Sequence, residues 1–233
     1  MKLLYSLLFF IITNSIFSQE INQFDAEGKR HGVWKKNFEG TNVLRYEGAF
    51  SHGKEIGLFK FYKKINNKAV LTATKAFNES NNVSQVKFLG SNGKVISEGQ
   101  MDDKIFIGTW KYYQKNSDEL LILEHFNNSG KLEGERFVYY ENGQIAEKQF
   151  YKNGLLDDTY IGYSDNNVVL KQMFYVYGEL HGPAKFYNPK GELMSEGHYK
   201  RDKKYGVWKF YENGKLVEEK DFTYKPKFIK KTP

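Results

Sequence analysis

Gly206-Val207-Trp208-Lys209-Phe210-Tyr211-Glu212-Asn213-Gly214, continued by Lys215-Leu216-Val217-Glu218-Glu219-Lys220-Asp221-Phe222, reads as two strands around a tight turn. Asn-Gly is the strongest short-range hairpin signal, because both residues tolerate the positive φ that a two-residue turn needs. Period-2 alternation puts Trp208 and Phe210 on one face of the first strand, and Leu216 and Phe222 on one face of the return strand. These four residues form the expected core layer of the unit.

The unit is one of a series. Aromatic or aromatic-like pairs recur at Phe61-Tyr62, Phe88-Leu89, Tyr112-Tyr113, Tyr139-Tyr140, Gly162-Tyr163, Phe186-Tyr187 and Phe210-Tyr211, spaced 23 to 27 residues apart. A fixed period in this range is the signature of a stacked array rather than of one globular core. The same turn chemistry returns at Asn142-Gly143 and Asn92-Gly93, and second turns between units fall at His52-Gly53, Asn128-Ser129-Gly130 and Asn153-Gly154. Eight units follow, opening near Gly32, Gly57, Ser84, Gly108, Gly134, Asp158, Gly182 and Gly206. The stretch 66–82 is the least regular and is expected to carry a longer loop. On the return strands Glu-Gly recurs as Glu47-Gly48, Glu98-Gly99 and Glu196-Gly197, which places a glycine among large side chains where a neighbouring ring can cover it.

Composition agrees with β-structure. There are 17 tyrosines and 19 phenylalanines against 4 prolines, and no cysteine, so neither a disulfide nor an acylated lipoprotein cysteine is available. Residues 1–18 differ from the rest: Lys2 precedes the apolar run Leu3 to Ile12, and a small residue, Ser18, ends the segment. This is the pattern of a secretory signal peptide, too short to span a bilayer. The expected organisation is a signal peptide at 1–18, a lead-in at 19–31, the repeat array at 32–222 and a basic tail at 223–233. The formal charge of +7 is spread over interspersed signs, which argues for solubility and against nucleic-acid binding.

Gly-x-Trp-x-Phe-Tyr-x-Asn-Gly followed by Glu-Gly-x-Tyr resembles the bacterial variant of the MORN repeat. The resemblance is carried by Gly206 to Gly214, by Gly182 to Tyr187 with Glu196-Gly197-His198-Tyr199, and by Gly32-Val33-Trp34 with Glu47-Gly48-Ala49-Phe50. It implies an all-β, elongated, single-layer antiparallel sheet of about eight tandem hairpins, non-catalytic, used as a protein or membrane contact surface. Some members of that family are described as antitoxin-like. Two strands per unit at about 4.8 Å spacing give an array roughly 75 Å long.

Residues that carry chemistry elsewhere are explained here by repetition. The five histidines follow the units, His31 and His181 each preceding an opening glycine, with no His-x-His or cysteine pair to suggest a metal site. Glu47, Glu98, Glu147, Glu196 and Glu218 recur once per unit, as cross-strand pairing with lysine produces, rather than as two special carboxylates in a cleft. No nucleophile elbow, phosphate loop or dinucleotide fingerprint is present. The reading is therefore a non-enzymatic exported scaffold, periplasmic, envelope-associated or secreted, that binds another protein and needs no cofactor or metal. Trp34, Trp110, Trp208, Phe210, Leu216 and Phe222 are its expected core, and Arg45, Arg136 and Arg201 its candidate partner-binding anchors. A glycan or cell-wall module and an antitoxin-like inhibitor are the alternatives, with anionic lipid a further surface for the basic tail. If Tyr62, Tyr113, Tyr140, Tyr187 and Tyr211 line an open groove, the glycan reading gains.

Overall fold

The structure, a computed structural model, describes residues 20–223. The proposed signal peptide lies outside the described residues, as does the basic tail beyond Thr223.

One short edge strand, β1 (Gln23–Phe24), precedes the first hairpin, β2 (Arg30–Asn37) and β3 (Leu44–Ser51). The second and third hairpins are β4 (Lys54–Ile65) with β5 (Lys68–Phe77), and β6 (Val83–Leu89) with β7 (Val95–Asp102). The fourth and fifth are β8 (Ile105–Tyr113) with β9 (Leu120–Phe126), and β10 (Gly134–Tyr139) with β11 (Ile145–Lys152). A two-residue strand, β12 (Leu155–Leu156), leads to the sixth hairpin, β13 (Asp158–Tyr163) and β14 (Val169–Val176). The seventh is β15 (Glu179–Tyr187) with β16 (Leu193–Lys200), and the eighth β17 (Lys203–Glu212) with β18 (Lys215–Asp221). Consecutive strands pair antiparallel, except that β11 pairs both with the short β12 and with β13, so the described residues form one open 18-stranded meander with the eight units expected.

Seven of the eight units open on a backbone kink. Gly32, Gly57, Gly108, Gly134, Asp158, Gly182 and Gly206 all have positive φ, a conformation glycine adopts at no steric cost and aspartate tolerates. Ser84 does not, and β5 pairs with β6 without the register shift seen between β3 and β4, β7 and β8, or β16 and β17. The loop at 78–82 joins these two strands, so the irregular stretch read in the sequence marks the one regular seam among these pairings.

The turns differ from expectation in one respect. Asn213-Gly214, Asn153-Gly154 and His52-Gly53 have positive φ at both residues, as a two-residue turn requires, but at Asn92-Gly93 and Asn142-Gly143 only the glycine does. In those loops the glycine N–H donates back to Gly90 and Tyr140 and closes a longer turn, followed by a register shift in the strands.

The two faces have distinct chemistry, set by position within the unit. The second residue after each opening position points to an inner face: Trp34, Phe59, Val86, Trp110, Arg136, Tyr160, Ala184 and Trp208. Trp110 and Trp208 are fully buried there, and Phe59 and Val86 nearly so. Gly48, Gly99 and Gly197 lie beneath the rings of Phe59, Trp110 and Trp208, where a Cβ would come within 2.4 Å of ring carbons. None of these three has positive φ, so close approach of the ring, not backbone conformation, demands glycine. The indole N–H then reaches the carbonyl of the next residue, Trp110 to Gln100 at 2.9 Å and Trp208 to His198 at 3.1 Å, so the buried ring leaves no polar atom unpaired.

At the N-terminal edge β1 takes the place of a preceding unit. Phe24 packs edge-on against Trp34 at 5.1 Å, and Gln23 supplies the carbonyl for the Trp34 indole at 3.0 Å. At the other end, among the described residues, no further strand pairs with the outer edge of β18. Leu216, expected in the core, is consequently 49 % exposed, whereas Phe222 and Phe210 are half-buried against Trp208.

Candidate interaction surface

The third residue after each opening position points to the opposite, outer face. In six units it is lysine: Lys35, Lys60, Lys87, Lys111, Lys185 and Lys209. Between them stand the glutamates of the Glu-Gly pairs. Glu47 lies 3.4 Å from both Lys35 and Lys60, Glu98 3.1 Å from Lys87, and Glu196 3.8 Å from Lys185. Tyrosine completes each cluster, Tyr62 donating to Glu47 at 2.8 Å, Tyr113 to Glu98 at 2.5 Å and Tyr211 to Glu196 at 2.8 Å. The phenol hydrogen bond, helped by the lysines against some desolvation, holds Glu47 and Glu98 below the usual carboxylate range. Desolvation and the adjacent carboxylate push Tyr62 and Tyr113 up to about 12. These charges satisfy one another, which makes the ladder a solvated face of modest energetic weight.

Two units break the ladder. In the fifth and sixth hairpins the lysine position holds Phe137 and Ile161, and Leu123 pairs with Phe137 at the position that Glu47, Glu98 and Glu196 hold in the first, third and seventh hairpins. Tyr139, beside Phe137 at 6.3 Å, is raised by desolvation alone, with no carboxylate to receive its hydroxyl. Leu121 and Phe150 extend the apolar area and are 39 % and 38 % exposed. Strands β11 and β13 pair only at Glu147 with Gly162 and Lys148 with Ile161, leaving a cavity of about 300 Å³ lined by Phe150, Ile161, Lys148 and Glu135. Lys148 bridges the area, 2.7 Å from Glu135 and 5.6 Å over the Phe137 ring.

The inner face of these units is inverted in the same sense. Arg136 occupies the position of Trp34, Trp110 and Trp208, and Gln149 pairs with it where glycine pairs with Trp34. Arg136 donates to Glu124 at 3.0 Å and to Gln149 at 2.9 Å, and Gln149 donates to Glu147 at 2.8 Å. Tyr160 also donates to Glu147 at 2.8 Å. Desolvation, and hydrogen bonds to Glu124 and Glu147 respectively, raise Tyr112 and Tyr160 well above the ordinary phenol range. Glu147 thus belongs to an inner polar network and not to the outer ladder expected from its spacing.

The candidate anchors are not brought together. Arg45 is exposed on the first hairpin and Arg201 is exposed at positive φ in the turn before the eighth. Arg136, expected at the surface, is instead committed to the buried ion pair with Glu124, with only 19 % of its side chain exposed. The five tyrosines of the glycan criterion are half-buried, and Tyr62, Tyr113, Tyr140 and Tyr211 spend their hydroxyls on Glu47, Glu98, the Tyr163 carbonyl and Glu196. They do not form an open row of rings. Among the described residues one group brings metal-binding side chains together, Asp25, His31 and His52 at the N-terminal edge.

No curated protein compared with the chain matches it. The family described as MORN repeat variant does match, at residues 132–153, 180–201 and 204–224, which coincide with the fifth, seventh and eighth hairpins. Repeats of this family generally serve as protein- or membrane-interaction modules. The regular spacing of opening residue, buried ring and turn, together with these three matches, identifies the chain as one that carries MORN-variant repeats.

Proposed function

We propose that the protein is an exported, non-catalytic scaffold that binds a protein partner across its outer face, with the contact centred on the fifth and sixth hairpins. The observation that carries this reading is the replacement of the outer-face lysines by Phe137 and Ile161 in these two units alone. An apolar centre bordered by solvated charge is the layout of a protein interface, where a few well-packed groups supply most of the binding energy and a polar rim excludes water. Leu121 and Phe150 stand proud of this centre, while the ladders on either side offer paired charges that steer and orient more than they bind. Export rests on the charged, apolar and small-residue segments of residues 1–18.

The test is capture of a partner from the host's envelope fraction, followed by affinity measurements on outer-face variants. Leu121→Glu and Phe150→Glu, both at exposed positions, are expected to lower affinity at least tenfold each. Ile96→Glu, at an exposed position on the third hairpin, serves as the control and is expected to bind as the parent does. Equal binding by all three variants refutes the placement of the surface. The same preparation tests export, with Gln19 the expected first residue of the recovered chain.

A further inference from the structure

The N-terminal edge holds a cluster that repetition does not explain. His31, His52 and Asp25 each place one ligand atom within 4.8 Å of the other two. They come from three segments: Asp25 follows β1, His31 lies in β2, and His52 sits at positive φ in the turn from β3 to β4. The imidazoles of His31 and His52 face each other at 4.9 Å between centroids, and His52 Nδ1 lies 2.8 Å from Asp25 Oδ2. The carboxylate is held in place. Its Oδ1 accepts the backbone N–H groups of Lys29 at 2.8 Å and Glu27 at 3.1 Å, and only 8 % of the side chain is exposed. A pre-oriented carboxylate beside two imidazoles is a donor set for a borderline divalent cation, not for calcium or magnesium, which take oxygen ligands.

We propose that Asp25, His31 and His52 form a zinc site that ties the edge strand β1 to the first hairpin and the turn before the second. Tetrahedral ligands at about 2.0–2.1 Å from zinc stand roughly 3.3 Å apart. The Asp25–His52 contact, at 2.8 Å, has only to open by about half an ångström, while the longer separations close by rotation of the exposed histidine rings. His52 is 63 % exposed, so this motion meets little packing. Glu27 Oε2, 3.9 Å from His52 Nδ1, is within reach as a fourth ligand, and water fills that place otherwise. The consequence is structural. The same β1 segment covers Trp34 and supplies its indole acceptor, so the metal would hold the cap over the first buried ring.

Untagged, chelator-stripped protein titrated calorimetrically with Zn²⁺ is expected to take up one equivalent, with hydrogen exchange slowed across residues 22–34. His31→Ala and His52→Ala are expected each to weaken uptake by about tenfold or more and to abolish the slowing. The double variant His181→Ala/His198→Ala, at the other end of the array, is expected to match the parent. Absence of saturable uptake, or uptake that survives both N-terminal variants, overturns the assignment.

Discussion

Replacing Trp110 with alanine is expected to destabilise the third and fourth hairpins by about 3–5 kcal/mol, the range for truncating a fully buried large aromatic side chain. The ring is sealed on every side: Phe106 stacks on it at 3.9 Å, Phe88 lies at 6.1 Å, and Gly99 lies beneath it. Its indole N–H also leaves Gln100 O without that partner when removed. Because each unit contacts mainly its neighbours, the loss is local, and distant hairpins keep their own cores. Site-resolved hydrogen exchange is the appropriate check, with protection expected to fall across β6 to β9 and to persist in β15 and β16. Unchanged protection at β6 to β9 would contradict the assignment of Trp110 as the centre of that core.

The second large effect concerns the ion pair. Arg136→Ala is expected to cost about 3 kcal/mol, at the lower end for breaking a buried pair, because some of the Arg136 side chain remains in contact with water. The cost arises less from the lost attraction than from Glu124, left buried without its cation. Replacing both members, as Glu124→Met/Arg136→Met, is therefore expected to recover most of that loss in urea unfolding, since apolar groups of similar volume often substitute for a buried pair without penalty. A double variant no more stable than Arg136→Ala would show that Gln149, Glu147 and Tyr160 depend on the arginine for their geometry, and that the network acts as a unit.

The eight hairpins, their opening positions and the burial of Trp34, Trp110 and Trp208 were legible because one local rule repeats. The Glu-Gly pairs were legible for a similar reason, since a glycine at a strand position facing large side chains has few other uses. The burial of Arg136 is not evident from its residue type, since an arginine beside Glu135 looks like surface, although its place two residues after Gly134, where Trp34, Trp110 and Trp208 stand in their units, is the available signal. Leu216 is exposed because alternation assigns a face but not a cover, and among the described residues no strand follows β18. The Asp25–His31–His52 cluster had no signature in spacing at all: these residues meet only once β1 pairs with β2 and the turn after β3 folds back beside them. Phe137 and Ile161 are visible in the sequence at the third place after Gly134 and Asp158, but strand register is needed to show that they flank Lys148 and join Leu123 in one patch.

The central claim is that this array acts by binding a protein along its outer face, at the units where the charge ladder is interrupted. Hydrogen exchange of the free chain and of its complex with the captured partner tests it most directly. The account predicts new protection concentrated in β9 to β13, around Leu121, Phe137, Phe150 and Ile161, with little change in the first and eighth hairpins. Protection confined to either end of the array, or to the inner face around Trp34 and Trp208, would contradict it.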